Sequence, residues 1–208
     1  MKEPIVKRAF VFVDGQNLFY AAREAFGYYW PNYDIKKLSE QICASKGWEL
    51  ASVYFYTGVP DLQDNSLWHN FWSKKLSYMG RIGIKIFSRP LRYHNKEWRC
   101  PACSRSYSSL IGHEKGVDVR MALDIIRFAH EKVYDVAIIF SQDQDLSEVS
   151  EEVRRIAVEQ NRWIKVASVF PVSPTKKDAR GINKTDWVKV ERQVYDACLD
   201  PGNYKGTA

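Results

Sequence analysis

The chain has 208 residues, of which 45% are hydrophobic and 27% are charged, so it is long enough to bury one substantial core and predicts a single domain. This composition excludes collagen-like, low-complexity and wholly disordered chains. The formal charge of +6 allows a polyanionic partner without identifying one.

Apolar blocks of strand length alternate with stretches of helical period, which is the pattern of a parallel α/β sheet. The predicted strands are, in chain order, 9–13, 50–56, 83–87, 136–140 and 164–170. The predicted helices are 18–26, one that Asp34 can cap, 64–79, 117–129 and 146–160. Asn17 is placed to cap the first of these helices. The sequence therefore predicts a three-layer α/β fold around a central parallel sheet.

One stretch interrupts this alternation. Residues 89–113 are polar, charged and aromatic and have no helical period. We expect them to form a small basic β-ribbon inserted into a single domain that spans residues 1–200. Residues 201–208 contain a proline and two glycines and predict a flexible tail.

The positive charge is concentrated in the middle of the chain. Between Lys74 and Lys115, ten basic residues accompany only two acids, so this segment carries +8 and the remainder carries −2. Aromatic residues alternate with the basic ones, a pattern typical of proteins that bind single-stranded nucleic acid. The candidate substrate-binding residues here are Arg89, Arg92, Lys96, Trp98, Arg99 and Lys115. A solvated helix face and packed aromatic rings are the alternative interpretation.

Carboxylates follow the strands that are expected to flank the point where strand order reverses. Asp14 ends the first strand, Asp143 and Asp145 follow the strand 136–140, and Asp118 opens the preceding helix. Ligands of open parallel sheets bind beyond the carboxyl ends of the strands at this point. Singly, each aspartate also fits a turn or a helix start. Jointly, their predicted position at one sheet edge favours function.

Such a cluster repels itself in the absence of a cation. Carboxylate oxygens are ligands that suit Mg²⁺ or Mn²⁺, and a metal so held activates water for hydrolysis of phosphate esters. The sequence has no serine-hydrolase elbow, zinc-protease motif or phosphate-binding loop that would compete with this interpretation. Asp124 is different, because its spacing favours an ion pair with Arg120 or Arg127.

At these residues the chain resembles the NYN domain family of the PIN-like ribonuclease fold, and within it the bacterial LabA-like branch. The resemblance covers residues 8–190. The matching pieces are Phe12-Val13-Asp14-Gly15-Gln16-Asn17-Leu18, Glu114-Lys115-Gly116-Val117-Asp118-Val119 with Asp124 following, Ser141-Gln142-Asp143-Gln144-Asp145 and, more loosely, Thr185-Asp186-Trp187-Val188-Lys189-Val190.

The resemblance implies a Rossmann-like PIN/NYN domain and a metal-dependent nuclease that acts on RNA. The implied ligands of Mg²⁺ or Mn²⁺ are Asp14, Asp118 and Asp143. Asp145 would be a further acid, Asn17 would orient a water or a phosphate, and Ser141 would lie close to the substrate. Gln142 and Gln144 stand where small residues are common in the family, so we expect them to narrow the site.

Two of the four cysteines form a Cys100-Pro101-Ala102-Cys103 pair. Zinc requires four ligands, and His94 and His113 flank the pair and could complete a structural zinc site. A second subunit supplying another pair, or two free thiols, are equally open alternatives. The cysteine pattern is not a disulfide framework, which favours a reducing cytoplasm.

Two other functions stay open. One is an RNA-binding or regulatory module that has kept the acidic site without the activity; the other is a phosphatase acting on a small phosphate ester, for which the basic aromatic segment is less natural. No apolar run has the length of a signal peptide or a bilayer span, so no membrane partner is expected. The exposed edges of the ribbon leave a homodimer open.

Overall fold

The structure is a computed structural model that describes residues 1–174 and 179–205. Its strands are β1 (Arg8–Asp14), β2 (Glu49–Val59), β3 (Lys85–Pro90), β4 (Arg92–Arg99), β5 (Ser106–His113), β6 (Val136–Phe140), β7 (Lys165–Pro171) and β8 (Asp186–Val190). Its α-helices are α1 (Gly15–Phe26), α2 (Ile35–Lys46), α3 (Ser66–Arg81), α4 (Val117–His130), α5 (Ser147–Glu159) and α6 (Arg192–Asp196).

Six of the strands form one parallel sheet in the order β3-β2-β1-β6-β7-β8. The first half of the chain builds outward from β1 to β3, and the chain then returns to add β6 on the other side of β1. The order therefore reverses between β1 and β6. The predicted α/β fold is confirmed, and the reversal falls between the two strands that end in the predicted carboxylates.

Both faces of the sheet are covered by helices. Along β1, Val11 and Val13 pack into the layer with α1, α2 and α3, whereas Phe12 packs into the layer with α4 and α5. This alternation follows from the period of two in a strand. Burial on both faces also explains why β6 is apolar at every position.

Helix α1 begins earlier than the sequence predicts. Its N-cap is Asp14, whose carboxylate accepts a hydrogen bond from the backbone N–H of Asn17 at 2.9 Å. The prediction that Asn17 caps this helix is wrong, because Asn17 already lies within the first helical turn. Capping by Asp34 is confirmed for α2, where its carboxylate accepts from the N–H of Lys37.

Strand β8 is absent from the strands that the sequence predicts. This strand is short. Its first two residues are exposed, and only Val188 and Val190 enter the core. The sequence there resembles a solvent-exposed segment more than the continuous apolar run of a central strand. β8 instead covers the free edge of β7.

The segment 89–113 contains the predicted ribbon. β4 and β5 pair antiparallel from Arg92 with His113 at the base to Arg99 with Ser106 at the tip. They form a separate two-stranded sheet that does not join the central one. Most of the side chains of this hairpin are exposed.

Lys75 differs from the other basic residues of segment 74–115 because it is buried. Its ammonium is buried, lies 2.7 Å from a carboxylate oxygen of Asp200 and donates to the carbonyl of Tyr33 at 3.0 Å. Burial lowers the pKa of Lys75, and the neighbouring Asp200 carboxylate opposes this change. Lys75 therefore holds the C-terminal segment against α3 and is not available to a polyanion.

After Asp200, residues 201–203 are exposed, and Tyr204 packs against the core. The ring of Tyr204 meets Phe71 edge-on at 6.0 Å between centroids, and its hydroxyl donates to Asp200. Residues 206–208 lie outside the described residues, so the flexible tail stays a prediction.

Asp200→Asn is expected to lower the free energy of unfolding by about 3–5 kcal/mol, because it leaves the Lys75 ammonium buried without its counter-ion. The matched control is Asp186→Asn, since Asp186 pairs with Lys165 at 2.6 Å but its side chain is 60% exposed, and its loss should cost less than about 1 kcal/mol. Urea unfolding followed by circular dichroism measures both changes. Equal losses in the two variants would contradict the structural role of the buried pair.

Candidate active site

A pocket of about 370 Å³ opens at the carboxyl ends of β1 and β6, where the strand order reverses. Half of its ten lining residues are acidic. The lining residues are Asp14, Gln16, Asn17, Tyr20, Ala21, Glu24, Glu114, Asp118, Gln142 and Asp143. The predicted carboxylates Asp14, Asp118 and Asp143 thus come together from three separate segments, as the sequence predicts.

Asp14 is fixed in place by the chain around it. One carboxylate oxygen accepts from the N–H of Asn17, and the other lies 3.5 Å from the hydroxyl of Ser141, which donates to it. The Asn17 side-chain oxygen accepts from the N–H of Gln142 at 3.0 Å. These contacts join the end of β1 to the loop that follows β6.

Ser141 is buried rather than open to the pocket. Its hydroxyl donates toward Asp14 and accepts from the N–H of Asp143 at 3.1 Å. We therefore replace the predicted substrate contact of Ser141 with a positioning role, in which its hydroxyl holds Asp14 and Asp143 in place. Asp143 in turn caps the short 3-10 turn Gln144–Leu146 by accepting from the N–H of Asp145.

Glu114 is an acidic pocket residue that is not among the site residues predicted from the sequence. It follows β5 and lies against Gly58 of β2, where an added Cβ would stand 3.2 Å from the Glu114 Cγ. The absence of a side chain at Gly58 therefore lets this carboxyl group reach the sheet edge. The signal that could identify it is its place in the Glu114-Lys115-Gly116 motif, directly ahead of Asp118.

Two carboxyl groups of the pocket, those of Asp14 and Glu114, have raised pKa values. Burial is the largest cause for Asp14, with Asp143 and Asp118 adding to it, and the pKa rises to about 6. Burial and then the charge of Asp14 raise the pKa of Glu114 to about 7. Both groups are therefore held in an environment that disfavours a further negative charge and favours a nearby cation.

The acidic cluster fits a hard divalent cation by its donor chemistry. The buried carboxylate oxygens of Glu114 have no hydrogen bond of ordinary geometry, although the backbone N–H of Gly58 is near enough to lower the pKa of this group, and poorly paired buried acceptors are rare in native proteins. Within residues 1–174 and 179–205, however, no group of three or more acidic, histidine or cysteine side chains is close enough together to hold a metal ion. Mg²⁺ keeps several waters and binds through one or two carboxylates, so it does not need a closed set of protein ligands.

Three neighbouring residues differ in how they relate to the pocket. Asp145 is exposed and does not line it. Gln142 does line it, as expected, but the Gln144 amide turns away and donates to the carbonyls of Gln142 and Gly181. Of the two glutamines, only Gln142 can narrow the site.

Asp124 has the structural role that its spacing predicts. It is buried and accepts hydrogen bonds from Arg120 at 2.9 Å and Arg127 at 3.0 Å. The hydroxyl of Tyr56 donates to it as well. This network ties α4 to β2 beneath the pocket.

The candidate substrate-binding residues fall into two groups. Arg89 does not line the pocket but lies beside the N-terminus of α4, where its guanidinium is 2.8 Å from the position that a Cβ would take at Gly116, the N-cap of that helix. Lys115 is exposed beside it. The others lie along β4, away from the pocket, and are Arg92, Lys96, Trp98 and Arg99.

On β4, Lys96 and Trp98 form a cation–π contact with the ammonium 4.3 Å from the ring centroid. The indole N–H of Trp98 donates to the Ser109 hydroxyl. The hairpin therefore presents an ordered aromatic and basic surface.

The hairpin does not assemble the predicted four-ligand zinc site. His94 and His113 stack near its base with ring centroids 4.4 Å apart, whereas Cys100 and Cys103 lie in the turn at its tip. Cys100 lies six positions after His94 along the extended chain, a span of roughly 20 Å. The strand pairing keeps the two pairs apart, so zinc at this tip would need ligands from elsewhere.

The fold and the site are those of a PIN-like α/β domain, with a parallel sheet and an acidic pocket at the point where the strand order reverses. PIN-like domains form a nuclease superfamily. More narrowly, the family model described as the NYN domain matches residues 8–178, and the chain belongs to that family. Membership of the LabA-like branch stays a prediction.

One similar solved structure is a protein of unknown function, VPA0982, from Vibrio parahaemolyticus RIMD 2210633. It has a TM-score of 0.50 and 22% sequence identity, over 92% of this chain and 96% of that one. This degree of identity supports the fold alone. A search of the curated proteins gave no match. None of the helices in the described ranges is long and apolar enough to cross a membrane.

The cysteines are expected to divide into two classes. Burial raises the pKa of Cys43 to about 11 and also raises that of Cys198, so both thiols stay protonated and shielded at pH 7.5. In the tip, backbone N–H groups of Cys103 and Ala102 lower the pKa of Cys100. Iodoacetamide followed by mass spectrometry should label Cys100 and Cys103 in the native protein and the other two only after unfolding.

Labelling of Cys43 as fast as Cys103 would contradict this division. If both tip cysteines are protected until a chelator is added, the zinc prediction is supported instead.

Proposed function

We propose that the protein is a metal-dependent ribonuclease that hydrolyses RNA phosphodiester bonds. The observation that carries the proposal is the convergence of Asp14, Glu114, Asp118 and Asp143 on one pocket at the sheet switch point. Two of these carboxyl groups have raised pKa values, and among the described residues that line the pocket none is a histidine, serine, cysteine or lysine that would offer a different chemistry. Membership of the NYN family supports the same class of reaction.

Asp14, Asp118 and Asp143 are the residues proposed to hold Mg²⁺ or Mn²⁺, with Glu114 as a fourth carboxylate. A bound divalent ion would supply an activated water and charge stabilisation for the phosphoryl transition state. The protein's own part is positional: Ser141 and Asn17 keep the carboxylates of β1 and the loop after β6 in a fixed relation. Asp145 does not line the pocket and is not part of this proposed ligand set.

Asn17 has a second part in the proposal. Because its side-chain oxygen accepts from the N–H of Gln142, its amide NH₂ group is left to donate to a phosphate or a water in the pocket that it lines. Arg89 lies next to the N-terminus of α4, where a guanidinium and backbone N–H groups both favour a phosphate. These two donors would orient the phosphate groups of the substrate.

The hairpin is proposed to bind the RNA beyond the pocket. Arg92, Lys96, Arg99 and Trp98 lie on one exposed strand. Its first residue, Arg92, pairs with His113 at the end of β5, and the short connection 114–116 leads from His113 into α4, which carries Asp118. Phosphates bound along β4 would therefore continue toward the acidic pocket. A reducing, cytoplasmic location is part of the proposal, in line with the free thiols of Cys100 and the exposed Cys103 at the tip.

One observation favours a second candidate, an RNA-binding or regulatory module with weak activity or none. The acidic side chains of the described residues do not form a closed ligand group. Salt-sensitive RNA affinity together with metal binding but no turnover would support this alternative.

Asp143→Asn is expected to lower the rate of RNA cleavage in Mn²⁺ by more than about 100-fold, beyond what the loss of an outer-shell metal partner costs. The matched control is Glu148→Gln, which removes an exposed acid in the first turn of α5 outside the pocket and should keep full activity. Cleavage of structured and unstructured labelled RNA on denaturing gels measures both. Equal cleavage by Asp143→Asn and wild type, or no cleavage by wild type, would contradict the proposal.

Lys96→Gln combined with Arg99→Gln is expected to flatten the plot of log affinity against log salt concentration by about 0.7 for each phosphate that the variant no longer neutralises. Lys189→Gln is the control, because Lys189 is exposed on β8, at the opposite edge of the sheet from β3. Fluorescence anisotropy of labelled RNA in the Asp143→Asn background measures the slope without cleavage. An unchanged slope in the double variant would exclude the hairpin from the RNA path.

A further inference from the structure

A second pocket, of about 260 Å³, adjoins the acidic one across a single turn of α1. Gln16 and Tyr20 line both pockets. On the far side of these two residues the lining changes from acidic to aromatic and includes Phe19, Tyr29 and Trp68. One face of α1, formed by Gln16 and Tyr20, therefore separates the acidic pocket from the aromatic pocket.

The aromatic wall is rigid on one side. Trp68 stacks on Trp30 with ring centroids 4.6 Å apart and meets Phe19 at 5.7 Å. Trp72 beneath it is buried in the core. These contacts hold the wall in one arrangement before any ligand arrives, which lowers the entropic cost of binding.

The opposite side of the pocket is open to solvent. The Tyr20 side chain is 48% exposed and that of Tyr29 is 78% exposed. The guanidinium of Arg23 lies 5.1 Å from the centroid of the Tyr20 ring. A flat ligand can therefore enter between exposed rings, with a cation beside it.

We propose that this aromatic pocket binds an unpaired nucleobase of the same RNA strand whose phosphate occupies the acidic pocket. The inference rests on the proposed nuclease function and adds a substrate class to it, namely single-stranded RNA. Stacking on aromatic rings and Arg is how proteins hold single-stranded nucleic acid. The shared residues Gln16 and Tyr20 make the two pockets neighbouring subsites of one strand.

The pocket selects single strands because a base within a duplex cannot leave its stack without an energetic cost of a few kcal/mol. Two polar groups of the pocket are already engaged, since the Thr57 hydroxyl donates to the carbonyl of Gly58 and the carbonyl of Pro60 is bonded to the His69 ring. The aromatic surface itself stacks on any base.

Short unstructured RNA oligonucleotides that carry 2-aminopurine at successive positions test the proposal in the Asp143→Asn variant. Stacking quenches the fluorescence of this base, so one position should be quenched at saturation and the others should not. Tyr20→Ala is expected to abolish this quenching and weaken binding about 5- to 100-fold. Tyr20→Phe, which keeps the ring, should retain both.

Tyr107→Ala is the matched control, because Tyr107 is a 58% exposed tyrosine on the hairpin. It is expected to leave the quenching at saturation unchanged, whatever its effect on affinity. Quenching that is equal at all positions, or that persists in Tyr20→Ala, would overturn the base subsite. Quenching at one position in a protein whose wild type cleaves no RNA would support the subsite and overturn the proposed function, so the two failures are distinct.

Discussion

The parallel pairing of β1 with β6 is the constraint on which the acidic site depends. Its register places Val13 opposite Phe140, so Asp14 and Ser141 leave the sheet side by side. Two further parts of the pocket follow from this pair: Asp14 caps α1, and Asp143 follows Ser141 by two residues. A one-residue slip of β6 would exchange the side chains that it presents to the two helix layers, so close packing on both faces of the sheet also fixes the position of the carboxylates.

The predictable part of the site is the part that strand ends determine. Asp14, Asp118 and Asp143 could be selected from the sequence because each lies next to a strongly apolar strand or at a helix start. Glu114 could not, since its position depends on its close approach to Gly58, at the end of β2 and far away in sequence. The burial of Ser141 was equally hidden, because a hydroxyl that holds two neighbours has the same sequence pattern as one that faces a ligand.

The same distinction applies to the rest of the fold. The central strands and the Asp124 ion pairs follow local periodicity and spacing, and both predictions are confirmed. Strand β8 and the burial of Lys75 depend on partners that are distant in sequence, namely β7 and Asp200. The cysteine and histidine pairs are close in sequence, yet the antiparallel register of the hairpin holds them at opposite ends of it.

That hairpin enters and leaves the domain at one point, because Arg92 and His113 are cross-strand neighbours. The two ends of the hairpin therefore lie close together, and its strands β4 and β5 do not pair with the central sheet. A change in the length of the hairpin beyond the pair Arg92 and His113 would therefore leave the strand order around the acidic pocket unchanged.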